Sequence, residues 1–153
     1  MKTLEPFDAI ITVSLNPAID RVIEVPDFAV GAHQKSRPIS RQPAGKAINV
    51  SRILGRLDID NIATGFVGAA ESELFHQSLA GPHTRAELIA IDSPTRENIT
   101  ITDPINHRDT HIRDASFEIG AQTLKRLHKK LHVLCRDKTL VIFSGSADRK
   151  SVV

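Results

Sequence analysis

The sequence predicts an α/β fold: a mostly parallel sheet flanked by helices, with a smaller group of strands set apart from it. Short β-branched apolar runs alternate with segments of helical period from Ala9 to Phe143, which is the rhythm of βαβ units. Those runs are apolar on successive residues, as strands covered on both faces require. Two further segments alternate polar and apolar residues, the pattern of half-exposed strands.

The elements follow in order. Ala9 to Leu15 reads as a buried strand ended by Asn16-Pro17, and Arg21 to Val25 as a more exposed strand stopped by Pro26. Gln34 to Ser40 is its expected partner in an outlying antiparallel piece. Ala44 to Leu57 predicts a helix with Ile48, Ile53, Leu54 and Leu57 as its apolar stripe, Gly45 near its start and Arg52 and Arg56 opposite. Asn61 to Val67 is a strand, Glu71 to Leu79 a helix and Ala86 to Ile91 a strand. Thr95 to Asp103 and Thr110 to Arg113 are expected to join the outlying antiparallel piece. Asp114 predicts the N-cap of a helix reaching about His132, striped by Ile119, Leu124, Leu127 and Leu131. Thr139 to Phe143 closes the series as a buried strand. A crossover helix is expected after it, yet Ser144-Gly145-Ser146 precedes only Ala147 and six mostly polar or basic residues, so the sheet reads as unfinished. No repeat or linker divides the chain, which predicts one domain over residues 1–147.

Composition narrows the function. Twenty Lys and Arg stand against 18 Asp and Glu, a net charge of +2 too small to argue for a nucleic-acid partner. Six Phe without Trp or Tyr give little surface for stacking bases. The single Cys135 allows no internal disulfide and no thiolate zinc site, which points to a reducing compartment. Neither a signal peptide nor a membrane span is visible, so a soluble cytoplasmic protein with no membrane partner is expected. The seven His form no metal-ligand grouping with carboxylates or thiols; His128 and His132 alone share an i, i+4 spacing.

Three groups of residues are candidates for chemistry. Asp20 follows the turn after the first strand, where open α/β sheets bind ligands, and a carboxylate there accepts hydrogen bonds from two sugar hydroxyls. The alternative is an Asx-turn or an ion pair with Arg21. Pro43-Ala44-Gly45-Lys46-Ala47-Ile48-Asn49 leads into a helix without being a Walker motif, which needs Gly at Ser40 and Ser or Thr at Ala47. Its unpaired N–H groups, Lys46 and Asn49 suit a hydroxyl or an anion; the alternative is a tight turn with a solvated lysine. Arg96 and Asn98 occupy alternate positions of one strand and so face one ligand, with Arg96 suited to gripping a phosphate; the alternative is a solvated surface arginine.

Taken together, Ser14-Leu15-Asn16-Pro17-Ala18-Ile19-Asp20, Ala44 to Ser51, Thr95-Arg96-Glu97-Asn98 and Ser144-Gly145-Ser146 resemble the phosphofructokinase B family of the ribokinase-like superfamily, nearest its 1-phosphofructokinase and tagatose-6-phosphate kinase group. The resemblance implies a ribokinase-like α/β fold whose strands at about 20–40 and 95–113 form a β-lid, often a homodimer contact. It implies that Asp20, Gly45 and Asn49 hold sugar hydroxyls and Arg96 the substrate's phosphate, with Asn98, Lys46 and the lid residue Lys35 as further binding residues. ATP and Mg2+ are the implied cofactors, and a small phosphosugar is the implied partner. The family's Gly-Ala-Gly-Asp segment, which carries the general base and anion hole, is not in this sequence. A catalytically inactive N-terminal half of a phosphosugar kinase is therefore expected. Its alternatives are a ribokinase-like kinase of an unphosphorylated sugar or nucleoside and a non-catalytic phosphosugar-binding module. Ala44 and Ala47 stand where the family has glycine, which would weaken binding if either needs positive φ. Asp148 to Val153 matches what a sequencing-library adapter encodes, so 148–153 is expected to be a non-native tail.

Overall fold

The computed structural model describes residues 7–115 and 117–146; the expected tail at 148–153 lies outside them. The main sheet is parallel, with strand order β5-β4-β1-β8 formed by Thr84–Ile91 (β5), Asn61–Gly68 (β4), Ala9–Ser14 (β1) and Thr139–Phe143 (β8). Side-chain alternation along these strands divides the core into two layers. Ile11, Val13, Phe66, Ile89 and Ile91 pack with Leu127 of helix α3, Ala121–Leu134. On the other face Ala63 and Val67 meet Ile48 of helix α1, Lys46–Arg56, and Phe75 and Leu79 of helix α2, Ser72–Leu79. The α/β fold is thus as predicted.

Helix α1 buries a different face from the one its large apolar residues suggest. Ala47, Ile48 and Ser51 are buried, whereas Ile53 and Leu57 are 55% and 63% exposed. Small residues bring the helix close to the sheet, and Thr12 and Ser51 satisfy each other there through their hydroxyls at 3.0 Å. Asn61 accepts from Ser51 and donates to the carbonyls of Ile59 and His83, closing the buried polar cluster. Strand β8 is an edge strand with Phe143 59% exposed, not the fully buried strand expected, because β1 is its sole neighbour among the described residues.

The second sheet has the order β3-β2-β6-β7, from Arg37–Ala44 (β3), Ala18–Glu24 (β2), Glu97–Asp103 (β6) and Arg108–Arg113 (β7). It is mixed, where an antiparallel piece was expected: β2 pairs antiparallel with β3 but parallel with β6. Parallel pairing follows because β2 and β6 both leave the same end of the main sheet. Asp114 does not cap a helix. Its backbone N–H donates to the Glu97 carbonyl at 3.1 Å and its Oδ2 accepts from the Glu97 N–H at 3.0 Å, so it extends the β6–β7 pairing, and α3 begins seven residues later.

Buried Asp103 holds the far end of this sheet. Its carboxylate accepts from the backbone N–H groups of Asp27 (2.9 Å), Phe28 (3.0 Å) and Ile105 (3.1 Å), and from Arg108 Nε at 3.2 Å. Burial by itself raises the pKa; hydrogen bonds from Asn106, Asp27 and Phe28 outweigh it and hold the carboxyl well below the usual carboxylate range. A depressed folded-state pKa stabilises at pH above the unfolded value, about 3.9, and that contribution is lost as pH falls toward the folded value. Amide exchange at residues 27, 28, 105 and 106 is therefore expected to lose protection in acid below about pH 4 before the main sheet does. In Asp103→Ala the same amides should be unprotected at neutral pH.

Candidate functional site

Strand β1 marks the point where the order of the main sheet reverses: the chain builds through β4 to β5 on one side and returns to β8 on the other. Ligands of open α/β sheets bind beyond the carboxyl ends of strands at such a point. There a cleft of about 370 Å³ opens between the main sheet and the second sheet, lined by Asn16, Asp20, Gly45, Lys46, Asn49, Arg96, Asn98, Arg113 and Ser146 among others.

One row across the second sheet supplies part of this wall. Gln42 of β3 lies opposite Asp20 of β2, Asp20 beside Asn98 of β6, and Asn98 opposite Arg113 of β7. Residues opposite one another share a face. Arg96 enters from just before β6, where its carbonyl accepts the Ile19 N–H at 2.9 Å. Its Nη1 donates to Asn98 Oδ1 at 3.1 Å, and Asn98 Nδ2 donates to Asp20 Oδ1 at 2.8 Å. A guanidinium only donates and a carboxylate only accepts, so the amide between them has one orientation. Arg96 Nε likewise donates to Asn16 Oδ1 at 3.0 Å, while Asn16 Nδ2 donates to Ser146 Oγ at 3.1 Å. Asp20 is not paired with Arg21, which points to the other face and meets Glu97 at 3.8 Å.

The opposite wall is the start of α1. Gly45 sits at the N-cap with φ +131° and ψ 141°, and no side chain caps the helix. A Cβ on Gly45 would lie 3.3 Å from Pro17 Cα, so both dihedral and space favour glycine. Neither Ala44 nor Ala47 has positive φ; both are buried, and their methyl groups impose no left-handed strain. Asn49 accepts at Oδ1 from Arg52 Nη2 one turn along, which leaves its Nδ2 as a donor. Lys46, Arg96 and Arg113 face one carboxylate, Asp20, a set suited to an anion that also carries hydroxyls.

The structure brings together Asp20, Gly45, Lys46, Asn49, Arg96 and Asn98 as predicted, but not Lys35. That residue is exposed in the loop before β3, whose Ala44 end forms the cleft wall. At roughly 3.3 Å per residue, Lys35 lies more than about 25 Å of strand away. Sequence reasoning missed Arg113, Asn16 and Ser146 as lining residues. The signal for Arg113 was the strand register, which sets it opposite Asn98. A second recess of about 410 Å³ lies at the other end of the main sheet, where His83 is flanked by Asp60 at 2.8 Å and Asp58 at 3.4 Å. Among the described residues no group of three His, Cys, Asp or Glu side chains is placed to hold a metal ion, and no helix is long and apolar enough to cross a membrane.

The chain is 32% identical to the 1-phosphofructokinase of Bacillus subtilis over 141 residues, 90% of this chain and 44% of that protein. It is a homologue of the phosphofructokinase B-type carbohydrate kinases. Other relatives carry the names 1-phosphofructokinase and tagatose-6-phosphate kinase. A possible 1-phosphofructokinase from Thermotoga maritima superposes with a TM-score of 0.76 at 28% identity, covering 93% of this chain and 46% of that one. Phosphofructokinase-2 from Escherichia coli, solved with fructose-6-phosphate, gives a TM-score of 0.79 over 93% of this chain and 46% of that one; at 19% identity it shows the shared fold. No family model matches the chain. This kinase homologue thus spans under half the length of the relatives it matches. Gly45→Ala is expected to lower its unfolding free energy by roughly 1–3 kcal/mol through the strained dihedral, measured by urea denaturation, whereas Ala47→Gly should lose only helix propensity and packing.

Proposed function

We propose that this chain forms the sugar-phosphate-binding half of a 1-phosphofructokinase-like kinase, a site for a ketohexose phosphate. The polarised run Arg96–Asn98–Asp20 inside a cleft with surplus positive charge carries this reading. Asp20 Oδ2 has no partner among the described residues and accepts from sugar hydroxyls, while Asn49 Nδ2 and the Gly45 turn complete the hydroxyl-binding wall. Arg96 still has Nη2 to offer, and with Arg113 and Lys46 it holds the phosphate. The cationic surplus favours a phosphosugar over a neutral sugar or nucleoside.

In the whole kinase, ATP and Mg2+ supply and neutralise the transferred phosphoryl group. The cleft does not fit Mg2+, which takes a shell of oxygen ligands, since cations dominate its wall. The general base is assigned to residues outside this chain, so the chain by itself is inactive. Ile39 and Ile112 are 51% and 47% exposed on the second sheet, which supports its use as a homodimer contact. Sugar-phosphate chemistry and the single Cys135 suit a cytoplasmic setting.

Calorimetry with fructose 1-phosphate, fructose 6-phosphate, tagatose 6-phosphate and fructose tests the reading. At least one phosphate is expected to bind more tightly than fructose, and Arg96→Ala to weaken it by about 10-fold to 100-fold, the scale of a charged hydrogen bond. Equal binding of fructose and its phosphates, or of wild type and Arg96→Ala, would overturn it. With ATP and Mg2+ the chain is expected to release no ADP above background in a coupled assay; turnover would place the base within these 153 residues.

A further inference from the structure

We propose that Glu71 is a positioning residue that aims Arg96 into the cleft by fixing the backbone of Thr95; the proposal rests on reading Arg96 as the phosphate-binding group. Glu71 does not line the cleft. It ends the 3-10 turn Ala69–Glu71 between β4 and α2. Residues 92–96, which link the two sheets, belong to no helix or strand, and Pro94 contributes no N–H. The β2–β6 ladder reaches Arg96 only through its carbonyl, so the residues before it must be held by other groups.

Two hydrogen bonds do so. Glu71 Oε2 accepts the Thr95 N–H at 3.0 Å, and Thr95 Oγ1, on a residue only 4% exposed, accepts the Gly68 N–H at 2.8 Å. They tie the end of β4 to the residue preceding Arg96. A Cβ on Gly68 would lie nearest Glu71 Oε2, then 2.5 Å from Thr95 N and 2.8 Å from Ser93 O, so glycine alone permits this approach. On the other side the Arg96 carbonyl accepts the Ile19 N–H, one residue before Asp20. Arg96 is held from both directions, and the carboxylate supplies the charge-assisted bond. Without it the Thr95 N–H, in a buried setting, has no acceptor.

The test compares Glu71→Ala and Glu71→Gln in the full chain, because Gln keeps the size and an acceptor oxygen. In Glu71→Ala, amide exchange at Thr95 is expected to speed at least tenfold, the Arg96 Nε–H NMR resonance to move, and affinity for the tightest-binding sugar phosphate to fall about tenfold, the scale of a lost buried hydrogen bond. In Glu71→Gln the Arg96 resonance should stay within the wild-type position and affinity recover to within about threefold, since a neutral acceptor is weaker than a charged one. An unchanged Thr95 amide and Arg96 resonance in Glu71→Ala overturns the proposal, as does a Glu71→Gln chain as impaired as Glu71→Ala. Should Glu71→Ala fail to fold, Gly68→Ala, whose methyl group would press on Glu71 Oε2 and the Thr95 N–H and so break their hydrogen bond, should displace the same resonance; a resonance left in place is equally fatal. A wild-type chain that binds no sugar phosphate sinks the phosphate reading, while the exchange and resonance data still decide the role of Glu71.

Discussion

One amide joins the cation of the cleft to its carboxylate. Asn98 accepts from Arg96 and donates to Asp20, and because neither neighbour can reverse its role, the polarity of the whole wall is set. Positive charge is left exposed at the Arg96 end and an acceptor at the Asp20 end. A ligand with an anionic group and a hydroxyl separated by a few bonds matches that division. The same amide spans β2 and β6, so the chemistry of the cleft and the pairing of the second sheet depend on each other.

That pairing is anchored to the main sheet. The Arg96 carbonyl holds Ile19, Glu71 and Gly68 hold Thr95, and Asn16 reaches Ser146 beyond β8. Groups beyond the ends of β1 and β8 thus line one crevice and those at the end of β4 brace its wall, which is why the site sits at the reversal in strand order. The far end of the second sheet is organised separately, by Asp103 and the backbone groups it gathers. The second sheet therefore has one end that walls the cleft and one built for its own shape.

Much of the fold was legible because period and burial agree. Ile11 and Val13 face one layer, Thr12 and Ser14 the other, and the alternation of apolar runs with helical segments leaves few arrangements. Misreadings arose where a local signal competed with tertiary pairing. Asp114 looks like a cap but is held by Glu97 across a strand pair, and Ile53 and Leu57 look like core but are displaced by the smaller Ala47 and Ser51, which allow closer packing. Within the site, Asp20, Gly45, Asn49 and Arg96 could be named from their motifs, whereas Arg113 needed a register and Lys35 needed the length of β3.

Taken alone, the sequence determined the α/β class, the order of the elements and the polar and charged residue types gathered at the candidate site, because these depend on periodicity, turn residues and local motifs. Only the tertiary structure decided which of those residues meet. Convergence of Asp20, Asn98, Arg96 and Gly45 depends on strand register and on how two sheets are tied together, and each is set by hydrogen bonds between residues as far as 130 positions apart. No local pattern in a chain encodes such distances, since they arise only when the layers pack.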